Sequence, residues 1–457
     1  RGGPLGVNAE ILAIEPCAPM NRDPAAFGIV SHARTFMDYY RGHARAGFVG
    51  YRPGRMSAKR AAATAKAYRE AFTGGETGAR AKPAGAKGSL VQLHAVNLWD
   101  GGMRYGLGIP SLLSYARSQP DIGERFSFEQ VVWKAEVPGE SDPDGAAVAE
   151  RVLRAGPLLA GFTIVSWSER IFLDAIRRVK ANSPGVMIAV GGPLATAHGP
   201  RLMKLMPEVD ALVVGYGETA FAALLRSLAD CGVKAGLHPG LYVRRGGRVI
   251  GKPQTLRDVL PPGSVPSPFR TGLVDVAGCP TMHVEWSRGC PGRCAYCTWG
   301  NRTAGMIQAS REKVTDDIAW AIDRGVREIT LDNSAINFRS DLLRELVGAI
   351  AEADPGGKIA LTAFLRYELI DEEQVDILRR VSWKSLIMGL QTDDAAGLKL
   401  IGRPPFDRRK FERALSGIGA FARPGVQIMT AVPGDTLENF SRGLEYLVCL
   451  DCDRSVF

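Results

Sequence analysis

Three cysteines, Cys290, Cys294 and Cys297, stand in the run Cys-Pro-Gly-Arg-Cys-Ala-Tyr-Cys. Four thiolates would close an iron–sulfur cube or a tetrahedral zinc site. Three leave one metal corner with no protein ligand, and an open corner must bind something else. The spacing therefore points to chemistry rather than to a structural staple: an open iron is able to chelate an amino acid through its amine and carboxylate. A zinc knuckle is the competing reading. It lacks a fourth ligand nearby, since His283 lies upstream and Cys279 belongs to a different segment.

The elements that must position this triplet are legible as an alternation of short apolar runs and amphipathic stretches. From Thr281 the predicted strands are Met282–Ser287, Glu328–Asp332, Ile359–Leu365, Ser385–Leu390 and Val426–Val432. Helices are expected at Val314–Arg324, Asp341–Ala353, Asp371–Arg380, Asp407–Phe421 and Leu437–Leu447. Such repeated units predict a full or partial barrel with its site on the carboxyl-terminal face, where the cysteines follow the first strand. Polar residues close the later strands: Asp332-Asn333-Ser334, Arg366, Gly389-Leu390-Gln391-Thr392 and the turn Val432-Pro433-Gly434-Asp435-Thr436. Taken singly, each also reads as a strand-end cap or a surface ion pair.

A second alternation precedes the first. Strands are predicted at Val91–Leu98, Phe128–Val132, Leu158–Ser166, Val186–Val190 and Ala211–Val214, with helices between them, which means a parallel sheet covered on both faces. Gly191-Gly192-Pro193 and Gly215-Tyr216-Gly217-Glu218 directly follow strands, on the sheet edge where open α/β folds hold ligands. The expected organisation has four parts. Residues 1–88 form a helical extension ending in a Gly/Ala-rich linker, and 89–228 form a Rossmann-like domain. Residues 229–278 form a connector with a small hairpin, and 279–457 form a partial (β/α)6 barrel, incomplete at its carboxyl end, where Arg454 to Phe457 read as the opening of a strand.

Composition sets limits. The chain has 457 residues, 57 Lys+Arg against 48 Asp+Glu, and a formal charge of +9. The basic residues are scattered, as at Arg379 to Lys384 and Arg408–Lys410, and read as solvated helix faces, so a nucleic-acid partner is not expected. No run approaches the roughly 18 apolar residues of a membrane span, and the start shows no apolar signal-peptide region. Eight cysteines, unevenly placed, do not make a disulfide framework, so a cytoplasmic, reducing location is expected.

Cys-x3-Cys-x2-Cys with the aromatic Tyr296 before the last cysteine resembles the radical S-adenosylmethionine (SAM) superfamily. The resemblance implies a [4Fe-4S] cluster on Cys290, Cys294 and Cys297 that passes an electron to bound SAM and yields a 5′-deoxyadenosyl radical. It implies that Asp332 and Asn333 stand where the family has a Gly-Gly-Glu-like segment for the SAM amine, from which this sequence departs. Arg366 would meet the SAM carboxylate, Gln391 would take the ribose position, and Val432-Pro433 would lie beside the adenine. A Rossmann-like domain ahead of such a barrel resembles the cobalamin (B12)-dependent branch of the superfamily. That implies cobalamin on Ser166, Trp167, Ser168, Gly191, Gly192, Gly215, Tyr216, Gly217 and Glu218.

The Asp-x-His-x-x-Gly segment by which methionine synthase and its relatives ligate cobalt is absent. The corresponding loop runs from Asn97 through Trp99, Arg104 and Tyr105 to Gly106, with no histidine. Arg104 is the catalytic candidate, a shield that keeps the lower cobalt face without a ligand because a guanidinium offers no lone pair. An Arg104 paired with a carboxylate or a propionamide is the competing reading. The expected function is a cobalamin-dependent C-methyltransferase acting on a natural-product or peptide substrate, with an external electron donor of flavodoxin or ferredoxin type. The alternative is a rearrangement, ring contraction or cyclisation on the same three cofactors.

Overall fold

The computed structural model describes residues 88–98, 106–135, 144–229, 238–276, 281–297, 299, 305–430 and 432–456. The predicted extension before residue 88 and the candidates Trp99, Arg104 and Tyr105 lie outside the described residues.

The first sheet comprises β1 (Ser89–Leu98), β2 (Phe126–Ala135), β3 (Leu159–Thr163), β4 (Met187–Gly191), β5 (Ala211–Val213), β6 (Leu241–Arg245) and β7 (Arg248–Gly251). Their order is β2-β1-β3-β4-β5-β6-β7. β1 to β5 are parallel, and β6 and β7 close the edge antiparallel. Successive residues of a strand face opposite sides, and both sides are buried here. Leu159 belongs to the core beneath the helices Gly108–Ser118 and Glu218–Ala229, whereas Ala160 and Phe162 pack with Val148, Phe172 and Ile176 from the helices Gly145–Ala155 and Glu169–Asn182. The sequence placed the β6–β7 hairpin in the connector. It extends this sheet instead, and its two-residue turn uses Gly246 (φ 53°) and Gly247 (φ 76°), the positive values such turns demand.

The second sheet is an open, wholly parallel ribbon. It runs β8 (Thr281–Val284), β11 (Glu328–Leu331), β12 (Ala360–Leu365), β13 (Trp383–Gln391), β14 (Arg423–Ile428) and β15 (Asp453–Val456), each paired with the next. Helices Arg311–Asp323, Ser340–Ala353, Glu372–Leu378, Arg408–Gly419 and Leu437–Val448 separate the strands. A core from Met282 through Leu361 and Phe411 to Val426 lies between the two layers. The six-stranded partial barrel expected from the sequence is thus present.

The first barrel strand is shorter than the sequence predicted. β8 stops at Val284, and residues Ser287–Gly289 form β9, which pairs antiparallel with β10 (Met306–Gln308) outside the barrel. Asn333 causes the break. Its side-chain oxygen accepts the backbone N–H groups of Trp286 (3.0 Å) and Ser287 (3.1 Å), which are therefore withdrawn from the barrel ladder. Trp286 is fully buried beneath this turn, its ring N–H donating to Asp317. Among the described residues no helix is long and apolar enough to cross a membrane.

Candidate active site

The cysteine loop is the connection between β9 and β10, so their antiparallel register pins it at both ends. Its middle is held by Ala295, whose N–H donates to Ile401 (2.9 Å). Gly402, at φ 71°, lets that chain come close, because a Cβ there would stand 3.1 Å from the Arg293 carbonyl oxygen. Each of the three sulfurs accepts a different N–H: Gly292 on Cys290 (3.3 Å), Arg366 Nη1 on Cys294 (3.7 Å) and Trp299 on Cys297 (3.4 Å). N–H donors and a guanidinium are what thiolates need in order to persist as metal ligands. Burial pushes the metal-free Cys290 thiol up, a cost that a bound cation would reverse. Among the described residues no three His, Cys, Asp or Glu side chains gather around one ion-sized point. Three thiolates in one loop, each accepting an N–H, are a donor set that fits a cube with one iron left open.

Behind the sulfurs lies a charge network that sequence reasoning missed. Glu368 receives Arg366 through two bonds (3.1 and 3.2 Å) and Arg403 at 2.8 Å. Arg403 is buried and also donates to the Gly389 carbonyl (2.6 Å). Asn337, fully buried, fixes the Arg366 backbone by accepting its N–H (2.8 Å) and donating to its carbonyl (3.0 Å). Two guanidiniums against one carboxylate leave a net positive charge beside Cys294. The signal was present in the spacing of Glu368, two residues after Arg366.

Of the other barrel candidates, Asp332, Asn333 and Gln391 lie at or just after strand ends, Tyr296 lies in the cysteine loop, and Val432 and Pro433 follow β14. Tyr296 and Val432 meet in one apolar cluster with Ala295, Leu398, Ile401 and Met429, and Pro433 is buried beside them. Burial raises the Tyr296 phenol, which stays protonated. Gln391 is the one non-glycine residue at positive φ (73°) among the described residues, where β13 shifts register against β14. Side chains there cost about 1 kcal/mol or more. Asp332 accepts from or faces His283 Nδ1 at 3.0 Å, while Asn333 spends its carbonyl oxygen on the strand break described above.

At the edge of the first sheet the candidates divide. Ser166 and Trp167 are exposed at the end of β3, and the Trp167 ring N–H is tethered across the edge to the Val96 carbonyl (2.9 Å). Ser168 is buried and closes the turn itself, accepting from the Val165 N–H (3.0 Å) and donating to the Thr163 carbonyl (2.8 Å). Gly192 sits at φ 95°, and a Cβ there would lie 2.9 Å from the Ile164 carbonyl oxygen. Gly191 and Gly192 therefore let the end of β4 pack closely on its neighbours Thr163, Ile164 and Val213. Gly215, at φ 76°, packs instead against Gln254, and a Cβ on Gly217 would press on Val213 and Leu112.

Tyr216 and Glu218 turn toward the barrel. The Tyr216 hydroxyl accepts the Gly289 N–H at 2.7 Å, and Arg288 lies over its ring at 4.8 Å. Arg288 pairs with Glu218 (2.5 Å) and Glu285 (2.9 Å), both contacts well shielded from water. Burial pushes the Glu285 carboxyl up to about 7, against the pull of Arg288. A ligand on this rim would thus meet the backbone of residues 215–217 rather than these polar ends. Arg288, inside the Ser-Arg-Gly-Cys run, is a further residue that the sequence reading passed over. Glu285 thus belongs to this junction. Cys449 is exposed and Cys452 buried, away from the cysteine loop in the chain.

Comparison with known proteins agrees with this two-part construction. A B12-binding domain model matches residues 127–225, and a radical SAM superfamily model matches residues 284–447. The chain is 30% identical over 260 residues to 2-(S-pantetheinyl)-carbapenam-3-carboxylate methyltransferase of Streptantibioticus cattleyicolor, covering 53% of this chain and 35% of that protein. It is 25% identical over 359 residues to the cobalamin-dependent radical SAM methyltransferase TokK of Streptomyces tokunonensis, covering 74% and 50%. The chain thus spans half or less of the length of these two relatives. In fold it resembles the radical SAM methyltransferase TsrM of Kitasatospora setae, solved with cobalamin and a [4Fe-4S] cluster (TM-score 0.60, 18% identity, 81% of this chain and 75% of that one). With two domain models matched in order on two sheets whose carboxyl edges meet at Arg288, the chain belongs to the radical SAM superfamily, in the branch that sets a B12-binding domain ahead of the barrel.

Proposed function

We propose that this chain is the core of a cobalamin-dependent radical SAM methyltransferase, moving a methyl group from SAM to a carbon of a small-molecule or peptide substrate. One observation carries the reading: the glycine-edged rim of the first sheet is bonded directly to the residue that precedes Cys290, through Tyr216 and Gly289. Two ligands held on those rims would face each other, which a methyl relay requires. When bound, the cluster and the cobalamin supply the electron-transfer and methyl-carrying chemistry that side chains lack.

The chain's own residues do the rest. Cys290, Cys294 and Cys297 would hold the cluster, and Arg366, fixed by Asn337 and Glu368, keeps a cationic edge beside Cys294 for an amino-acid carboxylate. Asp332 and Gln391 offer polar ends on the neighbouring strands, and the patch of Tyr296, Met429, Val432 and Pro433 offers an apolar seat that excludes water. Gly191, Gly192, Ser166 and Trp167 would receive the corrin. The relative named for its carbapenam carboxylate substrate favours a natural-product substrate.

The test is product counting in an anaerobic turnover with a carbapenam carboxylate or peptide acceptor. Methylation yields S-adenosylhomocysteine together with an acceptor one methylene heavier. A reaction that releases 5′-deoxyadenosine and no S-adenosylhomocysteine would contradict it.

A further inference from the structure

The junction between the two sheets is built from charges that stability alone does not explain. Arg288 is almost wholly buried, between a buried Glu218 and a largely covered Glu285, and its guanidinium also donates to the Leu260 carbonyl (3.2 Å) and lies over the Tyr216 ring. Burying an arginine with two carboxylates costs much of what their attraction returns, and well-packed apolar side chains often serve stability as well. What such a set provides is a fixed geometry: planar donors, short bonds and one permitted register.

Its two ends are informative. One end is the loop Gly215–Glu218, at the carboxyl edge of the first sheet. That loop is secured from behind by Gln254, which accepts the Tyr216 N–H (2.8 Å) and donates to the Tyr216 carbonyl (2.7 Å). The other end is β9, whose Arg288 sits opposite Ile307 and whose last residue, Gly289, adjoins Cys290. The clamp therefore bears on the cysteine loop at its root and on the ligand rim at its tip, with no other segment interposed.

We propose that Arg288 is a positioning residue for methyl transfer: held by Glu218 and Glu285 and stacked on Tyr216, it sets the distance and angle between the B12-binding rim and the cysteine loop. This rests on the methyl-transfer reading. A displacement of about 1 Å between reacting groups lowers a rate by about a hundredfold. Methyl transfer needs both rims in register, whereas cleavage of SAM at the cluster needs only the barrel. Arg288 therefore matters to one output far more than to the other.

The experiment compares the wild-type chain with Arg288→Met, Arg288→Lys and the milder Tyr216→Phe, each reconstituted with iron, sulfide and hydroxocobalamin. Iron and cobalt contents are measured alongside S-adenosylhomocysteine and 5′-deoxyadenosine. The expected result for Arg288→Met is a fall of about tenfold or more in S-adenosylhomocysteine, with 5′-deoxyadenosine changed by less than about threefold and both metals retained. Arg288→Lys recovers part of the loss, and Tyr216→Phe shows the same split in weaker form. Losses that run in parallel for both products, or that follow metal content, mean a merely structural role and overturn the proposal; so does no change in either. Hydrogen exchange on the cofactor-free chains supplies the second readout. The peptide containing Gly289 exchanges faster in Tyr216→Phe and Arg288→Met than in wild type, and equal rates would overturn the clamp. Absence of S-adenosylhomocysteine from the wild-type reaction would strike the proposed function itself, and the exchange measurement would still decide whether the clamp exists.

Discussion

The two rims of this molecule are built on opposite plans. At the barrel rim, side chains dominate the candidate site: three sulfurs, two arginines and a shared carboxylate come from the cysteine loop, the end of β12 and the turn after the helix Ala395–Leu400. At the rim of the first sheet, backbone dominates: Gly192, at φ 95°, sits where a Cβ would meet the Ile164 carbonyl, and most polar side chains nearby are consumed by the protein. The contrast follows from what each must hold. Iron needs donor atoms at fixed points, whereas a broad macrocycle needs an unobstructed surface.

The largest effect that would sharpen this comparison is at the cysteines. Replacing Cys290, Cys294 or Cys297 by Ala should abolish activity and most bound iron while cobalamin still binds, as read by iron and cobalt analysis. Full iron loading in any of the three would break the side-chain account of the barrel rim. The mirror experiment is Gly192→Val. Its Cβ would collide with the Ile164 carbonyl at an unfavourable φ, with a local cost of roughly 1–3 kcal/mol. The expected outcome is loss of cobalt with iron retained.

A third prediction concerns pH. Glu169 is buried at the start of the helix that follows Trp167 and Ser168, one of its carboxyl oxygens has no partner among the described residues, and burial pushes it up to about 8 from an ordinary 4.5. The folded chain keeps this proton and the unfolded chain releases it, so the group's contribution to stability falls as pH rises from about 4.5 through 8. Glu169→Gln should therefore raise the melting temperature of the cofactor-free protein at pH 8, with the difference closing toward pH 4.5. A constant offset across that range would contradict it. The smallest effect is expected at Ser168. Ser168→Ala removes the bonds to Thr163 and Val165, costing about 1 kcal/mol in thermal stability, and leaves cobalamin content unchanged.

Legibility in the sequence follows the same divide. The cysteine triplet and the strand-end residues were readable because spacing along one loop, or one residue per strand, fixes where they fall once the alternation is recognised. Both sheets were readable for that reason, including β15 at the far end. What escaped detection depended on contacts between distant segments. Arg403 reaches Glu368 across 35 positions, and Arg288 reaches Glu218 across 70. Asn333 matched a family position by order, yet nothing local revealed that its side chain would end the β8 ladder by capturing two amides. Likewise Ser168, Tyr216 and Glu218 lie in the right loops, and only the packed structure tells which polar groups are already in use. The hairpin β6–β7 was recognised by its Gly-Gly turn, but not its attachment to β5, because antiparallel addition at an edge leaves no periodic trace.

The most direct measurement is metal and corrin loading of the full chain after anaerobic reconstitution with iron, sulfide and hydroxocobalamin. The account expects about four irons and one cobalamin per chain, bound independently of one another. A colourless preparation holding a single zinc on Cys290, Cys294 and Cys297, or iron-loaded protein that takes up no cobalamin, would contradict it.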